Sequence, residues 1–589
     1  MTSNPLIYLT KKMWKYSDGN RPKVILYTVL SIIANIIHSL DPILIGFMMN
    51  VIQQEGITDI NIGKILFLLF LFIIAEIVFW MFHGPSRVIE NVNAFLVKNN
   101  YKKYLLKGVM DLPIEWHADH HSGDTIDKIE KGTKVLFDFS SITFQIITAI
   151  ITLITSVGLL FYFDVTVGII TLILILSIFK IIFFFDAKII PGYKVVNRLE
   201  NTTSEKVYDS LSNIVTVIIL RIESLVLKTI NTALEKPYNQ FKKNHQLNEF
   251  KWFLVGAGGR IIVIVSIVLY IFIHWKNGPI LAGTIYIIYN SSDQLRKTFS
   301  SFAYLYSQMV SFRASVANAE ELSESFIKAK ININNHLPEK WQRITIKDLS
   351  FSYHGKNGVD LHIDNIAMSL NKGERIAVIG ESGGGKSTFL KLFRDLYHPK
   401  HIELTIDNQK SKKNFANIRD SISLVPQDPE IFATTIRENI TVGVDYPDSI
   451  IKKYTDIARF SDVVERLPHG LESSIVEKGV NLSGGEKQRL ALARGLLASK
   501  DKEIILLDEP TSSVDMLNEL NIYQNIFTEF KDKTIISSIH RLHLLSLFNT
   551  IYLFKGGKIV ASGSFSDLKE NSVDFQVLWN QYLETQNNV

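Results

Sequence analysis

The sequence predicts a multidomain membrane protein: an all-α domain of six membrane-crossing helices followed by an α/β domain. Three observations predict it. Hydrophobic residues are 47% of the 589, and they concentrate in long runs before about residue 310. Six of these runs reach the roughly 20 residues needed to cross a bilayer. From about residue 343 the composition becomes that of a soluble α/β domain, with an apolar strand pattern at Ile376-Ala377-Val378-Ile379 and an amphipathic one at Phe389-Leu390-Lys391-Leu392-Phe393. Between those two stands the glycine-rich string Gly380-Glu381-Ser382-Gly383-Gly384-Gly385-Lys386-Ser387-Thr388.

Residues 1–23 form an N-terminal segment in which Leu6, Ile7, Leu9, Met13, Trp14 and Tyr16 mix with Lys11, Lys12 and Lys15. That pattern fits an amphipathic helix on the membrane surface, and no cleavable signal-peptide pattern accompanies it. The membrane domain is expected over 24–326, with spans near 24–47, 64–84, 141–162, 165–186, 253–274 and 280–300. The loops differ in charge. Residues 48–63 carry Glu55 and Asp59 but no Lys or Arg, whereas 85–140 and 187–252 are rich in Lys. The positive-inside rule therefore puts the N-terminus, both long loops and the C-terminal half in the cytoplasm. Both long loops carry helical patterns, so spans 2–3 and 4–5 are expected to continue as helices into the cytoplasm, each pair ending in a tip. Residues 327–342, with Asn332, Asn334, Asn335 and Pro338, read as a linker to a nucleotide-binding domain over 343–589. The net charge of +5 is small for this length and argues against a nucleic-acid binder; the absence of cysteine excludes disulfides, thiolate chemistry and Cys-based metal sites.

The spacing G-x-x-x-x-G-K-S, placed between strand and helix, fits a P-loop. Its glycines let backbone N–H groups turn inward on phosphate oxygens, and the following helix adds its positive end. Lys386 is expected on the β- and γ-phosphates and Ser387 on Mg²⁺. Downstream, Glu503-Ile504-Ile505-Leu506-Leu507-Asp508-Glu509 reads as a buried parallel strand ending in two acids. Asp508 is expected to share the Mg²⁺, and Glu509 to polarise the water that attacks the γ-phosphate. The domain is expected to be an α/β P-loop NTPase domain, with a helical subdomain. Between these motifs, Asn481-Leu482-Ser483-Gly484-Gly485-Glu486-Lys487-Gln488-Arg489 leads into a helix, which makes Ser483, Gly484 and Gly485 a second anion site. One chain does not need two sites for one γ-phosphate. A dimer explains the second, each copy closing over the ATP held by the other.

The LSGGE string resembles the signature motif of ATP-binding cassette proteins, and with six preceding spans the chain resembles a half-transporter of the ABC exporter class. The resemblance implies further roles. Tyr353 stands where the family has an aromatic that stacks on adenine, and Gln427 where a loop glutamine contacts Mg²⁺ and senses the γ-phosphate. Asp515 stands in the loop that links two ATP sites, and His540 is the switch histidine that bonds the γ-phosphate. Thr434, and Ser513-Val514, depart from the family's usual Gly and Ala-Leu without removing a catalytic group. Intact acidic, glutamine and histidine positions favour a homodimer over a heterodimer with one decayed site. The segment around Asp209 to Val217 resembles a coupling helix, and the region near Glu115 to Asp127 lies in the loop carrying another.

The resemblance implies ATP-driven transport by alternating access, export in most such chains, with a bacterial inner or plasma membrane as the expected setting and the bilayer and an unidentified substrate as partners. An importer, or an ATP-gated channel without stoichiometric hydrolysis, are the alternatives; intact Glu509 and His540 count against the channel. His117, Asp119, His120 and His121 invite a metal reading, but His120 and His121 are adjacent and cannot face one site on a helix. Within the spans, His38, Asp41, Glu76, Arg260 and Asp293 are expensive in lipid. They read either as a partly anionic cavity for a cationic or peptide-like substrate, or as groups that pair with one another. Pro42 is expected to kink span 1.

Overall fold

The computed structural model describes residues 4–120, 122–276, 278–329, 336–353, 362–411, 414–428, 430–475 and 482–587. His121, Pro429, Asn481 and the linker residues Asn332, Asn334 and Asn335 lie outside them. The chain forms two compact units. One is Met1–Leu112 with His120–Lys328; the other is Pro113–Asp119 with Ala329–Val589.

The first unit is helical. Helix α1 (Pro5–Tyr16) starts with Asn4 accepting from Leu6 N–H at 2.9 Å and with proline at its first position. Leu9, Met13 and Tyr16 are buried while Ile7 and Trp14 are exposed, as a surface helix requires. The first span is broken into α2 (Arg21–His38) and α3 (Asp41–Glu55) at Ser39–Leu40. Pro42 is the second residue of α3, where its missing N–H costs nothing. Helix α4 (Ile62–Met110) has 49 residues, about 74 Å at 1.5 Å per residue, so it outruns any bilayer. Helix α5 (Ile114–Asp119) follows and belongs to the second unit. The chain returns through α6 (Ser122–Ser141) and α7 (Thr143–Phe163). Their junction is held from α4: buried Glu90 accepts from the Phe144 N–H at 2.9 Å and from the Thr143 hydroxyl at 2.5 Å, capping a helix that has no cap of its own.

Helix α8 (Val165–Ser212) is capped by Asp164. The short α9 (Ile214–Ile219) forms the second tip, and α10 (Glu223–Glu235) and α11 (Tyr238–His274) run back. Both long loops are therefore helical with short tip helices, near the segments named from sequence. Helix α12 (Ala282–Ala329) completes the unit. Among the described residues five helical stretches, Arg21–Glu55, Ile62–Met110, Ser122–Phe163, Val165–Ser212 and Glu223–His274, are long and apolar enough to cross a membrane. The sixth expected span is helical but does not meet that standard, because Asp293, Arg296 and Lys297 interrupt it. A core of Leu160, Ile175, Ile178, Val255, Ile262 and Leu295 joins α7, α8, α11 and α12. Below it the Lys251 ammonium donates to Asp186 at 2.9 Å, both side chains under a tenth exposed.

The second unit holds strands β1 (Arg343–Ser352), β2 (His362–Asn371), β3 (Arg375–Gly380), β4 (His401–Ile406), β5 (Gln409–Lys410), β6 (Ile422–Val425), β7 (Ile504–Asp508), β8 (Thr534–Ser538), β9 (Thr550–Lys555) and β10 (Lys558–Gly563). They make an antiparallel sheet ordered β2-β1-β4-β5 and a second sheet ordered β10-β9-β3-β8-β7-β6, parallel from β9 to β6. Strands β7 and β8 and the centre of β3 are fully buried, which explains their unbroken apolar runs. Helix α13 (Lys386–Phe393) follows β3. Helices α14 (Ile436–Thr441), α15 (Asp448–Ile457), α16 (Ser461–Arg466) and α17 (Gly484–Ala498) lie between β6 and β7. Helix α18 (Met516–Glu529) precedes β8, and α19 (Phe565–Asn571) and α20 (Val573–Asn587) end the chain.

Candidate active site

The parallel strands β3, β8, β7 and β6 are neighbours, so their C-terminal ends share one edge of the sheet. Each delivers one element of the expected site. The glycine loop follows β3, His540 follows β8, Asp508 and Glu509 end β7, and Gln427 follows β6.

Gly380, Gly383 and Gly385 adopt φ of 140°, 79° and 102°, a region costly for side-chain-bearing residues. A Cβ on Gly380 would also collide with the Phe554 carbonyl oxygen. The loop folds back so that Lys386 Nζ donates to the carbonyls of Gly380 at 2.8 Å and Glu381 at 3.1 Å. Burial holds this ammonium's pKa below its ordinary value, with Glu509 and Asp508 pulling the other way. The Ser387 hydroxyl donates to Asp508 Oδ1 at 2.9 Å. Burial pushes the Asp508 carboxyl up, against the effect of that bond. Glu509 carries φ 45°, a strained conformation for a residue with a side chain. Its Oε2 accepts from Gln427 Nε2 at 2.9 Å. His540 is exposed and, with Glu509, Thr511 and Ser512, lines a cavity of about 270 Å³.

The Tyr353 hydroxyl lies 3.4 Å from Thr388 Oγ1, and its ring stands edge-on to Phe351 and Tyr397. Next to Tyr397, the His398 N–H donates to Glu115 Oε1 of α5 at 3.1 Å. Ser483 caps α17, exchanging bonds with Glu486 in a capping box. A Cβ on Gly485 would meet the Ser513 carbonyl oxygen at 2.7 Å, whereas Gly484 faces open space. Asp515 caps α18, accepting from the Asn518 N–H at 3.0 Å and side-chain amide at 2.8 Å. Those bonds hold its carboxyl below the usual range.

Two further residues of the sequence motifs hold the site together. Buried Gln488 donates to Ser512 Oγ at 2.7 Å and accepts from Ser513 N–H at 2.8 Å, tying α17 to the loop before α18. Arg541 donates to the Val514 carbonyl at 2.6 Å and to buried Glu519 at 3.2 Å. A polar residue one turn into α17, and an arginine directly after His540, were the available signals.

Among the ionisable groups of the membrane unit, pairing is common. His38 Nδ1 is 3.3 Å from Asp41 Oδ2, and Trp80 Nε1 donates to Glu76 at 2.9 Å. Asp293 binds Arg296 at 2.8 Å and Lys297 at 3.0 Å. Among the described residues no group of three or more His, Asp or Glu is placed to hold a metal ion.

Comparison with known proteins matches this layout. Residues 24–299 match the ABC transporter transmembrane region and residues 363–512 the ABC transporter family. The chain is 28% identical over 492 residues to ABC transporter B family member 6 of Dictyostelium discoideum, covering 80% of this chain and 72% of that protein. It is 27% identical over 485 residues to the mitochondrial iron-sulfur clusters transporter ATM1 of Chaetomium globosum, covering 80% and 78%. Its fold matches a bacterial Atm1-family ABC exporter solved with ATP bound, with TM-score 0.80 and 20% identity over 95% of this chain and 99% of that one. With a transmembrane region and an ATP-hydrolysing domain matched in one polypeptide, the chain belongs to the ABC transporter family, as a multi-pass half-transporter that couples ATP hydrolysis to transport.

Proposed function

We propose that the protein is a homodimeric exporter working by alternating access, with two equivalent ATP sites. The observation that carries the chemistry is the shared edge of β3, β8, β7 and β6, which collects a phosphate loop, a histidine, two acids and a glutamine. The loop amides and Lys386 hold the β- and γ-phosphates, and Tyr353 takes the adenine. Lys386 leaves the carbonyls of Gly380 and Glu381 for the phosphates as ATP enters. Ser387 Oγ and Asp508 Oδ1, 2.9 Å apart, and the amide oxygen of Gln427 are hard donors suited to Mg²⁺. When bound, that ion neutralises phosphate charge. Glu509 accepts the proton of the attacking water while the bond from the γ-phosphorus to the bridging oxygen breaks and ADP leaves. His540 bonds the γ-phosphate and fixes its orientation. The bond from Gln427 engages only Oε2 of Glu509, so it orients the carboxylate and leaves Oε1 to take the proton.

The second copy supplies Ser483, Gly484 and Gly485 to the nucleotide, with Asp515 in the loop between the two sites. The tip helix α9 supports a partner: Val215, Ile218, Ile219 and Leu220 are 56–73% exposed, an apolar surface that a second subunit would cover. The placement of Lys and Arg supports a cytoplasmic setting for both tips and the nucleotide domain. Export rests on the character of the similar proteins. Replacing Glu509 with Gln tests the scheme. ATPase should fall by about a hundredfold or more, while ATP binding persists and traps the closed dimer. Full substrate flux with hydrolysis abolished would instead identify a channel.

A further inference from the structure

Three helices of the membrane unit carry cations at a single depth. Contacts fix their register. At the outer side, His274 Nε2 at the end of α11 lies 3.7 Å from Asp164 Oδ2, which caps α8. Deeper in, a Cβ on Gly258 would lie 3.2 Å from Ile178 Cδ1, and one on Gly259 would overlap Arg296 Cγ. The rings of Phe179 and Phe299 are 4.7 Å apart. Counted along each helix, Lys180, Arg260, Arg296 and Lys297 all stand about 21–23 Å from the outer helix ends.

These charges are not balanced within the unit. Arg296 and Lys297 share the single carboxylate of Asp293. Lys180 and Arg260 are exposed and make no ion pair or hydrogen bond among the described residues. Four cations against one carboxylate leave three positive charges in a region where unpaired charge is costly. The acids of the first two spans do not reach this level. A Cβ on Gly283 would overlap the Gly46 carbonyl oxygen, which sets Asp41 level with residue 288 of α12. Arg296 is then about 12 Å deeper. Glu76 is level with Asp41, since Phe79 meets His38 at 5.4 Å. A second copy related by an axis along the membrane normal keeps the same depths. The next polar layer inward, Asp186 with Lys251, is already paired.

Aromatic rings flank the cations. Phe179 packs edge-on against Phe299 and Phe302 at 4.7 and 5.5 Å, and Phe302 is 39% exposed. We propose that the belt of Lys180, Arg260, Arg296 and Lys297 binds the anionic head group of an amphipathic molecule whose apolar body lies against the exposed ring of Phe302, which half-buried Phe179 backs. This rests on the transport function proposed above and names its substrate class. It also runs against the expectation of a partly anionic cavity for a cationic or peptide-like substrate, because at this depth the one carboxylate, Asp293, is already engaged by two cations. The head group's shared chemistry, a phosphate or carboxylate, can come from a membrane lipid or a free amphiphile.

Equilibrium binding of radiolabelled dodecyl phosphate to the full chain in phosphatidylcholine nanodiscs tests the proposal, with dodecanol and dodecyltrimethylammonium as neutral and cationic competitors. Saturable binding displaced by neither competitor is expected, and it should weaken by about tenfold or more in the double variant Lys180→Gln/Arg260→Gln. Lys180→Arg/Arg260→Lys should retain it, which separates lost charge from lost fold. Displacement by added phosphatidylglycerol supports a lipid as the source; no displacement supports a free amphiphile. No saturable binding to the unaltered chain, displacement by the cationic analogue, or equal binding in the double glutamine variant would overturn the site. Binding needs no turnover, so a charge-dependent site without export, and export without charge preference, are separately visible.

Discussion

Gly484 and Gly485 are neighbours with different physical constraints. A Cβ on Gly485 runs into the Ser513 carbonyl oxygen at 2.7 Å, so Gly485→Ala must push the loop before α18 and should lower ATPase activity in proportion. Gly484→Ala meets nothing among the described residues and adds a better helix former to the first turn of α17. Its thermal unfolding should be unchanged or slightly raised. A loss of ATP turnover in that variant, with the fold intact, would therefore report on a ligand or a second subunit at this position. His543 makes a different prediction. It lies 3.7 Å from Glu519 and 3.4 Å from the Tyr582 hydroxyl, near Arg541. Burial outweighs Glu519 and pulls the imidazole below its ordinary value of about 6.5. The native state therefore binds fewer protons than the unfolded one across that window. Its stability contribution is fully present above about pH 6.5 and is lost as pH falls through the lower, folded value. Unfolding temperatures of the full chain should decline on acidification more steeply for the unaltered protein than for His543→Gln; parallel curves would contradict this.

At the scale of elements, α8 and α11 are joined by one buried ion pair, Asp186 with Lys251. Removing only one partner strands a charge away from water. Lys251→Met should destabilise the protein by about 3 kcal/mol or more, and adding Asp186→Leu should recover much of that loss. Equal destabilisation by the single and double changes would show that the pair is not closed in the native state. This coupling was invisible in the sequence, because Asp186 and Lys251 are 65 positions apart and nothing in their local pattern points to each other. The same is true of Glu90, which caps α7 from another helix. The apolar runs, by contrast, were legible because a bilayer-crossing helix is specified by its own composition. The sixth, α12, is helical as expected but mixes polar and apolar residues, so composition alone places its borders poorly. The phosphate loop was legible for a local reason too: glycines at fixed spacing, a strand before and a helix after. What the letters could not provide was the shared sheet edge, since strand order is not written in any one segment. Asp293 shows the opposite error. Read alone it is an acid in a membrane span; read with the residues three and four positions on, it is an acceptor already filled by Arg296 and Lys297.

At the scale of the whole molecule, the proposed dimer makes a prediction about distance between copies. If each copy's Ser483-Gly484-Gly485 closes on the other's glycine loop, a cysteine at Ser483 of one copy must approach a cysteine at Ser382 of its partner only when nucleotide is trapped. The absence of native cysteine makes this clean, since every disulfide formed must involve the introduced thiols. On the roles proposed above, Glu509→Gln should supply the trap, removing the proposed base while leaving Lys386 and Ser387 in place for ATP. Ser382 is chosen because its hydroxyl makes no hydrogen bond among the described residues, unlike Ser387, which donates to Asp508. In the Ser382→Cys/Ser483→Cys/Glu509→Gln chain, crosslinked dimer should accumulate with ATP and fall sharply without it. The same thiols cannot satisfy each other within one copy without the same approach appearing as a crosslinked monomer, which gel mobility separates. A dimer band independent of nucleotide would mean that the nucleotide domains meet without closing on ATP. A crosslink confined to the monomer, with ATPase activity intact in the parent chain, would mean that one copy completes its own site, and the two-site scheme would fall.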